Sequence, residues 1–471
     1  MERLIKIGNV VKKKSSEIEK SRIGLGFEKL DRGVFDPEKV YDKVEETGVK
    51  WIRLQSGWAR TEKEKGVYDF KWLDDVVDNL LARGLKPWLC LCYGNGLYSE
   101  DAAKIFGAVG VPPIFDEESK RAWANYVEAT VKRYIGKIDL FEVWNEPDGH
   151  WCWKHGINLT EVGQFNIDTA KAIKKGNLDA KVVGGVMCKR SLRDMTEAFE
   201  TGMGDYLDYV SYHQYTHDES TVIPYVKALR SLCESYNNKI KIIQGESGSQ
   251  SRSDGRGAVR RGCWTPLKQA KQLLRHTVVD LISGVEFASY FSCVDMIEAL
   301  NGVVGDAASY NDFGYFGVLG VEFDENGMPK DEYKPKISFG ALQTLSSIFY
   351  NDYECCDVPV YRVPQESPRI FGMDCNDASI VQQGFSKPNG SKAFVYWNAT
   401  NIMTADYEST VTYDVAHLGD DIKIIDLMNG TVYKFSEDMI QDTGFGTFKL
   451  VNIPLKDYPL MITFGDFAET E

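Results

Sequence analysis

Ile138-Asp-Leu-Phe-Glu-Val-Trp-Asn-Glu-Pro147 decides the fold. Its apolar, β-branched and aromatic run is too short for a helix and reads as a buried strand. Pro147 cannot donate to a ladder, so the strand stops there and offers Asn145 and Glu146 at its C-terminal end. In a parallel α/β protein, that end is where active sites are built. Taken alone, Asn-Glu-Pro is equally compatible with a surface turn. A second stretch, Lys239-Ile-Lys-Ile-Ile-Gln-Gly-Glu-Ser-Gly248, changes the weighing, because another apolar strand runs into a glycine and then Glu246. Two strand-terminal glutamates in one barrel suit glycoside chemistry, in which one carboxyl protonates the leaving oxygen and the other attacks or activates water.

Outward from these two strands, the pattern alternates strand and helix eight times. The strands are Arg22–Phe27, Lys50–Gln55, Lys86–Cys92, the Trp144 strand, Lys181–Val186, Leu207–His213, the Glu246 strand and Val285–Tyr290. Amphipathic helices follow them, among them Phe70–Arg83 stopped by Gly84, Asp116–Tyr134, Thr160–Lys175 with Thr160 as N-cap, and Thr265–Ile282. This count predicts a (β/α)8 TIM barrel over residues 21–350, with the two glutamates ending strands four and seven. The loops after strands three, four, seven and eight (residues 93–115, 148–159, 247–264 and 292–335) are long enough to form walls or lids. From about residue 351 to 471, short alternating runs such as Lys392–Asn398 and Leu460–Phe464 predict a C-terminal antiparallel β-sandwich. Residues 1–20 also alternate and are expected to pair with it.

Composition narrows the function classes. A net charge of −14 over 471 residues argues against nucleic acid or an anionic membrane as partner. No apolar stretch approaches a transmembrane length, and the N-terminus lacks the features of a signal peptide, so the expectation is a cytoplasmic protein. Ten cysteines without zinc-type spacing predict buried, reduced thiols and no metal or cofactor. His150 and His155, flanking Trp151-Cys152-Trp153, read as cleft-loop residues. Twelve per cent aromatics suit a sugar cleft, although a large core uses aromatics too.

With these residues in view, the chain resembles the retaining glycoside hydrolases of clan A, and family 39 (β-xylosidase-like) in particular. The resemblance rests on Trp144-Asn-Glu-Pro147 and Gly245-Glu-Ser247, and extends to the small β-domain after the barrel. It implies Glu146 as general acid/base and Glu246 as nucleophile. It further implies that Arg53 orients the nucleophile, Asn145 binds the sugar 2-hydroxyl, His213 and Tyr215 form the motif after strand six, and Glu298 binds substrate. The clan's strand-eight tryptophan is absent, with Tyr290 or Phe291 in its place. Trp58, Tyr93, Asn95, Trp151 and Trp264 lie on catalytic-face loops, where stacking or hydrogen bonding to sugar is expected.

For such chemistry Glu246 must be ionised, held by Arg53 and Tyr215, while Glu146 must start protonated and lack a close cation. The implied substrate is a β-xyloside or related glycoside, with arabinose-containing glycans and uronides as alternatives. Long loops suggest a pocket closed at one end and exo-action on short oligosaccharides, and a homo-oligomer stays open. Two other classes compete: a silent glycan-binding barrel, which the paired glutamates disfavour, and a phosphate-binding isomerase. The latter would need a glycine-rich loop, of which Ser247-Gly-Ser-Gln-Ser251 is only a faint echo.

Overall fold

The computed structural model describes residues 1–364, 379–419 and 421–471; residues 365–378 and 420, part of the expected 351–471 region, lie outside the described residues. Eight parallel strands close a barrel in chain order. They are Ile23–Gly26, Trp51–Gln55, Lys86–Leu91, Leu140–Val143, Lys181–Met187, Tyr209–Gln214, Lys241–Ser247 and Ala288–Tyr290. Each falls within or beside its expected range. The fourth and eighth are the most shortened, with only Leu140–Val143 and Ala288–Tyr290 in the strands. The helices also match closely, with Lys71–Ala82, Glu117–Arg133, Leu159–Gly176 and Pro266–Ile282 wrapping the barrel. One cap differs from expectation. Asn158, not Thr160, caps the Leu159–Gly176 helix, its side chain accepting from the Thr160 and Glu161 amides.

The barrel interior is built in layers. At the floor, Trp88, Leu140, Val183, Ile243 and Phe287 form a closed apolar plug. Trp51 stacks on Phe287 at 4.2 Å between ring centroids and seals it. Above the plug lies a charged layer in which Arg53 donates through Nε and Nη2 to Glu142, and Trp88 Nε1 donates to the same carboxylate at 3.3 Å. The strand C-termini, with the two glutamates, form the next layer up.

The second region consists of a seven-stranded and a four-stranded antiparallel sheet. Ile5–Asn9 pairs with Thr431–Lys434 at the edge of the larger sheet. The helix Pro266–Ile282 lies between barrel and sheets, and it is polar yet buried. Lys271 pairs with Asp457 at 2.8 Å, and Arg275 with Glu219 at 2.6 Å. Arg275 also donates to the Thr400 carbonyl at 2.7 Å, and Trp397 Nε1 donates to Glu219 at 3.2 Å. Among the described residues no helix is long and apolar enough to cross a membrane.

Candidate active site

Two local distortions put the glutamates where they are. Successive strand residues ordinarily face opposite ways, but Trp144 and Glu146 both adopt positive φ (64° and 45°) around Asn145. This left-handed backbone, costly for non-glycine residues, lets Asn145 and Glu146 both line one cavity. At strand seven the register shifts between Gln244 and Glu246, a bulge that re-aims the glutamate. Gly245 leaves room at that bulge, since a Cβ there would lie 2.3 Å from Ser211 Oγ and force that side chain to move.

The two carboxylates face each other across a cavity of about 510 Å³. A ligand oxygen of each, together with a His213 nitrogen, falls within a 4.8 Å set. Glu246 is held by Arg53 Nη1, donating to Oε2 at 2.6 Å, and by the Tyr215 hydroxyl, donating to Oε1. Despite full burial, the surrounding carboxylates Glu142, Glu246 and Glu28 keep the Arg53 guanidinium charged. Burial, reinforced by the Glu246 charge, pushes the Tyr215 phenol up, so it remains a donor. Glu146 receives the Trp151 indole N–H on Oε2, and His213 Nδ1 lies 2.9 Å from its Oε1.

The histidine corrects one expectation. Among the described residues Glu146 has no lysine or arginine partner, yet a titratable ring sits against it. Burial pulls His213 down, but the Glu246 charge and the Glu146 hydrogen bond outweigh it, and its pKa is raised. Asn145 is fixed from both ends: Arg53 Nη2 donates to its Oδ1 at 2.8 Å, and its Nδ2 donates to Tyr93 Oη at 3.0 Å. Glu146, His213 and Glu246 are also the one group among the described residues with metal-ligating potential. Arg53 already supplies Glu246 with a cation there.

The cavity therefore gathers Asn145, Glu146, Trp151, Tyr215, Glu246 and Glu298, with Arg53 and His213 buried directly behind the carboxylates. Four expected residues lie elsewhere. Trp58 is core, stacked on Tyr98 and Tyr126. Asn95 ties its loop down, donating to the Glu62 carbonyl at 2.9 Å. Trp264 donates to the Val259 carbonyl at 2.7 Å and stacks on His217, pinning the loop after strand seven. Tyr290 donates to the Ser249 carbonyl at 3.3 Å, and its neighbour Phe291 lines the cavity instead. Wall residues not anticipated are Glu28, Lys29 and Arg32 after strand one, Gln55, Cys188 and Lys189 after strand five, and Phe316. The Glu28 signal was present: Ile23-Gly-Leu-Gly-Phe-Glu28 is another apolar strand leading to a glutamate.

The closed (β/α)8 barrel thus sets Glu146 just after its fourth strand and Glu246 near the end of its seventh. Residues 38–244, a little under half of the chain, match the model of glycosyl hydrolases family 39, which the chain resembles. It is 29% identical over 162 residues to a beta-xylosidase of Geobacillus stearothermophilus, covering 32% of this chain and 31% of the relative. To a beta-xylosidase of Caldicellulosiruptor saccharolyticus it is 27% identical over 194 residues, 37% of this chain and 38% of the relative. The matched stretch thus spans about a third of these curated relatives. Among solved structures, a family 39 glycoside hydrolase from Bacteroides cellulosilyticus WH2 superposes with a TM-score of 0.68 at 16% identity, covering 97% of this chain and 83% of that one. A monomeric beta-xylosidase from Caulobacter crescentus CB15 gives 0.60 at 15% identity, covering 98% and 97%. These structural likenesses concern the fold.

Proposed function

We propose that the protein is a retaining glycosidase that removes terminal sugars from short oligosaccharides in the cytoplasm, with β-xylosides as the first substrate class. The observation that carries the reading is the facing of Glu146 and Glu246 from strands four and seven, with ligand oxygens inside 4.8 Å. Retention calls for carboxyl groups ~5–5.5 Å apart, whereas inversion leaves ~6.5 Å or more for a water. The relatives' description as beta-xylosidases supports the substrate class.

In the first step, Glu146 donates its proton to the glycosidic oxygen as Glu246 Oε attacks the anomeric carbon. The C–O bond to the leaving group breaks, and a glycosyl ester forms on Glu246. In the second, Glu146, now a carboxylate, takes a proton from water, whose oxygen attacks the same carbon and displaces Glu246. Arg53 and Tyr215 hold Glu246 aimed before attack. They also stabilise its returning charge when the ester breaks. Trp151 and His213 orient Glu146. Asn145, held by Arg53, presents its amide toward the sugar 2-hydroxyl, a contact that strengthens as the ring gains oxocarbenium character.

The test is a screen of p-nitrophenyl glycosides with wild type, Glu146→Ala and Glu246→Ala. Xylosides come first and galactosides second, since beta-galactosidases are also among the relatives. Release by wild type, with azide rescuing Glu246→Ala as a glycosyl azide of inverted configuration, is the expected result. No hydrolysis of any glycoside, alongside sugar binding, would instead favour a silent glycan-binding barrel.

A further inference from the structure

Three of the four long catalytic-face loops meet at one side chain that the chemistry above does not use. Lys154, in the loop after strand four, is half-buried, and its Nζ donates to three backbone carbonyls. They belong to Val109 at 2.9 Å, Trp151 at 2.6 Å and Leu300 at 3.0 Å, in the loops after strands three, four and eight. An ammonium has three N–H donors, so all of them are taken. Burial lowers the pKa of this lysine, and no carboxylate stands among the groups that oppose the shift. A desolvated charge resting on carbonyls alone calls for an explanation.

The loops after strands three and eight form one wall without it. Ile105 bridges Val303, the Phe106 amide donates to the Gly302 carbonyl at 2.8 Å, and the Phe106 ring stacks on Tyr310 at 4.1 Å between centroids. Lys154 fastens the loop after strand four to that wall. Its own amide donates to the Gly110 carbonyl at 2.8 Å, and the backbones approach so closely that a Cβ on Gly110 would lie 2.6 Å from the Trp151 oxygen. The fastened loop carries Trp151, whose carbonyl is one of the three acceptors and whose indole N–H donates to Glu146. Trp151 and Leu300 line the cavity, whereas Lys154 does not. We propose that Lys154 is a positioning residue for proton transfer: it clamps the Trp151 loop to the wall and so keeps the indole N–H on Glu146. This inference rests on the glycosidase reading, in which Glu146 protonates the leaving oxygen. Misplacing a catalytic group by ~1 Å can cost about 100-fold. Because the effect reaches the chemistry through Glu146, the loss depends on how much protonation the leaving group needs.

The test measures kcat/KM on a phenyl glycoside, whose leaving group needs the proton, and on the dinitrophenyl glycoside of the same sugar, whose leaving group departs without it. Wild type, Lys154→Met, Trp151→Phe and the double variant are compared. Lys154→Met should lose about 10-fold or more on the phenyl glycoside and no more than about twofold on the dinitrophenyl one. The ratio of the two values is independent of the fraction of enzyme folded, so a destabilised variant still reports. In the Trp151→Phe background, Lys154→Met should change that ratio little further, since residues acting through one contact do not add. Lys154→Arg, whose planar fork cannot aim three N–H groups at carbonyls converging on one point, should shift the ratio the same way if the methionine variant fails to fold. An equal loss on both glycosides, an unchanged ratio, or full additivity with Trp151→Phe would overturn the assignment while leaving the glycosidase reading in place. A wild type inert on both glycosides of every sugar would overturn that reading, and this inference with it.

Discussion

At the scale of single residues, the account turns on which side chains hold the two glutamates. Tyr215 donates to Glu246 and stays protonated, so Tyr215→Phe removes one donor without disturbing the ring packing against Phe316. The expected outcome is a fall in kcat of roughly 100-fold, the usual cost of one donor aimed at developing charge, with KM changed much less. Steady-state kinetics on an aryl glycoside check it, and an unchanged kcat would remove Tyr215 from the mechanism. Trp151→Phe should likewise slow turnover by about 10-fold or more, since a smaller aromatic ring remains but the N–H donated to Glu146 is lost. Glu146 and Glu246 were legible in the sequence because each closes a recognisable buried strand. Glu28 closes one too, but no motif drew attention to it. Trp58 and Asn95 were misread because the catalytic face has two levels, the cavity itself and a packed layer beneath the loops. Sequence position does not separate the two.

At the scale of elements, the helix Pro266–Ile282 is the least ordinary piece, carrying buried Lys271, Arg275 and Asp280. Its periodicity announced a helix over Thr265–Ile282. That its polar face is buried was not readable, because the partners Glu219, Thr400 and Asp457 come from distant parts of the chain. Asp280 accepts from the Tyr212 hydroxyl and the Gln214 amide, both at 2.8 Å, on the sixth barrel strand. Burial raises its pKa from 3.8 to about 8, with those hydrogen bonds only partly offsetting the shift. The folded state therefore holds this proton more tightly than the unfolded chain does. Its contribution to stability is complete below pH 3.8 and is lost as pH rises through about 8. Asp280→Asn should thus flatten the decline of Tm between ~pH 5 and ~pH 9, measured by calorimetry. Parallel curves for the two proteins would contradict the assignment.

At the scale of the whole molecule, barrel and β-sheet region are joined by charges rather than by apolar surface alone. Arg275 binds Glu219 and the Thr400 carbonyl, and Trp397 binds the same glutamate. Removing one partner of a buried ion pair strands the other charge. Arg275→Met should therefore cost about 3–5 kcal/mol in urea unfolding, far more than an exposed pair would. A loss near zero would mean that the second region docks independently of this network. The broad architecture was readable from the pattern, since the switch from strand–helix alternation to closely spaced strands marks where the barrel ends. The pairing of Ile5–Asn9 with Thr431–Lys434 joins the chain's beginning to its last hundred residues, and local periodicity could suggest that pairing but not its register.

The central claim is that Glu246 carries the sugar between two displacements. The measurement that tests it most directly is intact mass and peptide mapping after reaction with an activated 2-deoxy-2-fluoro glycoside, together with the anomeric configuration of the first product by NMR. The account predicts one glycosyl unit on the peptide containing Glu246 and a product of retained configuration. An inverted product, or a label on Glu146 or Glu28, would contradict it.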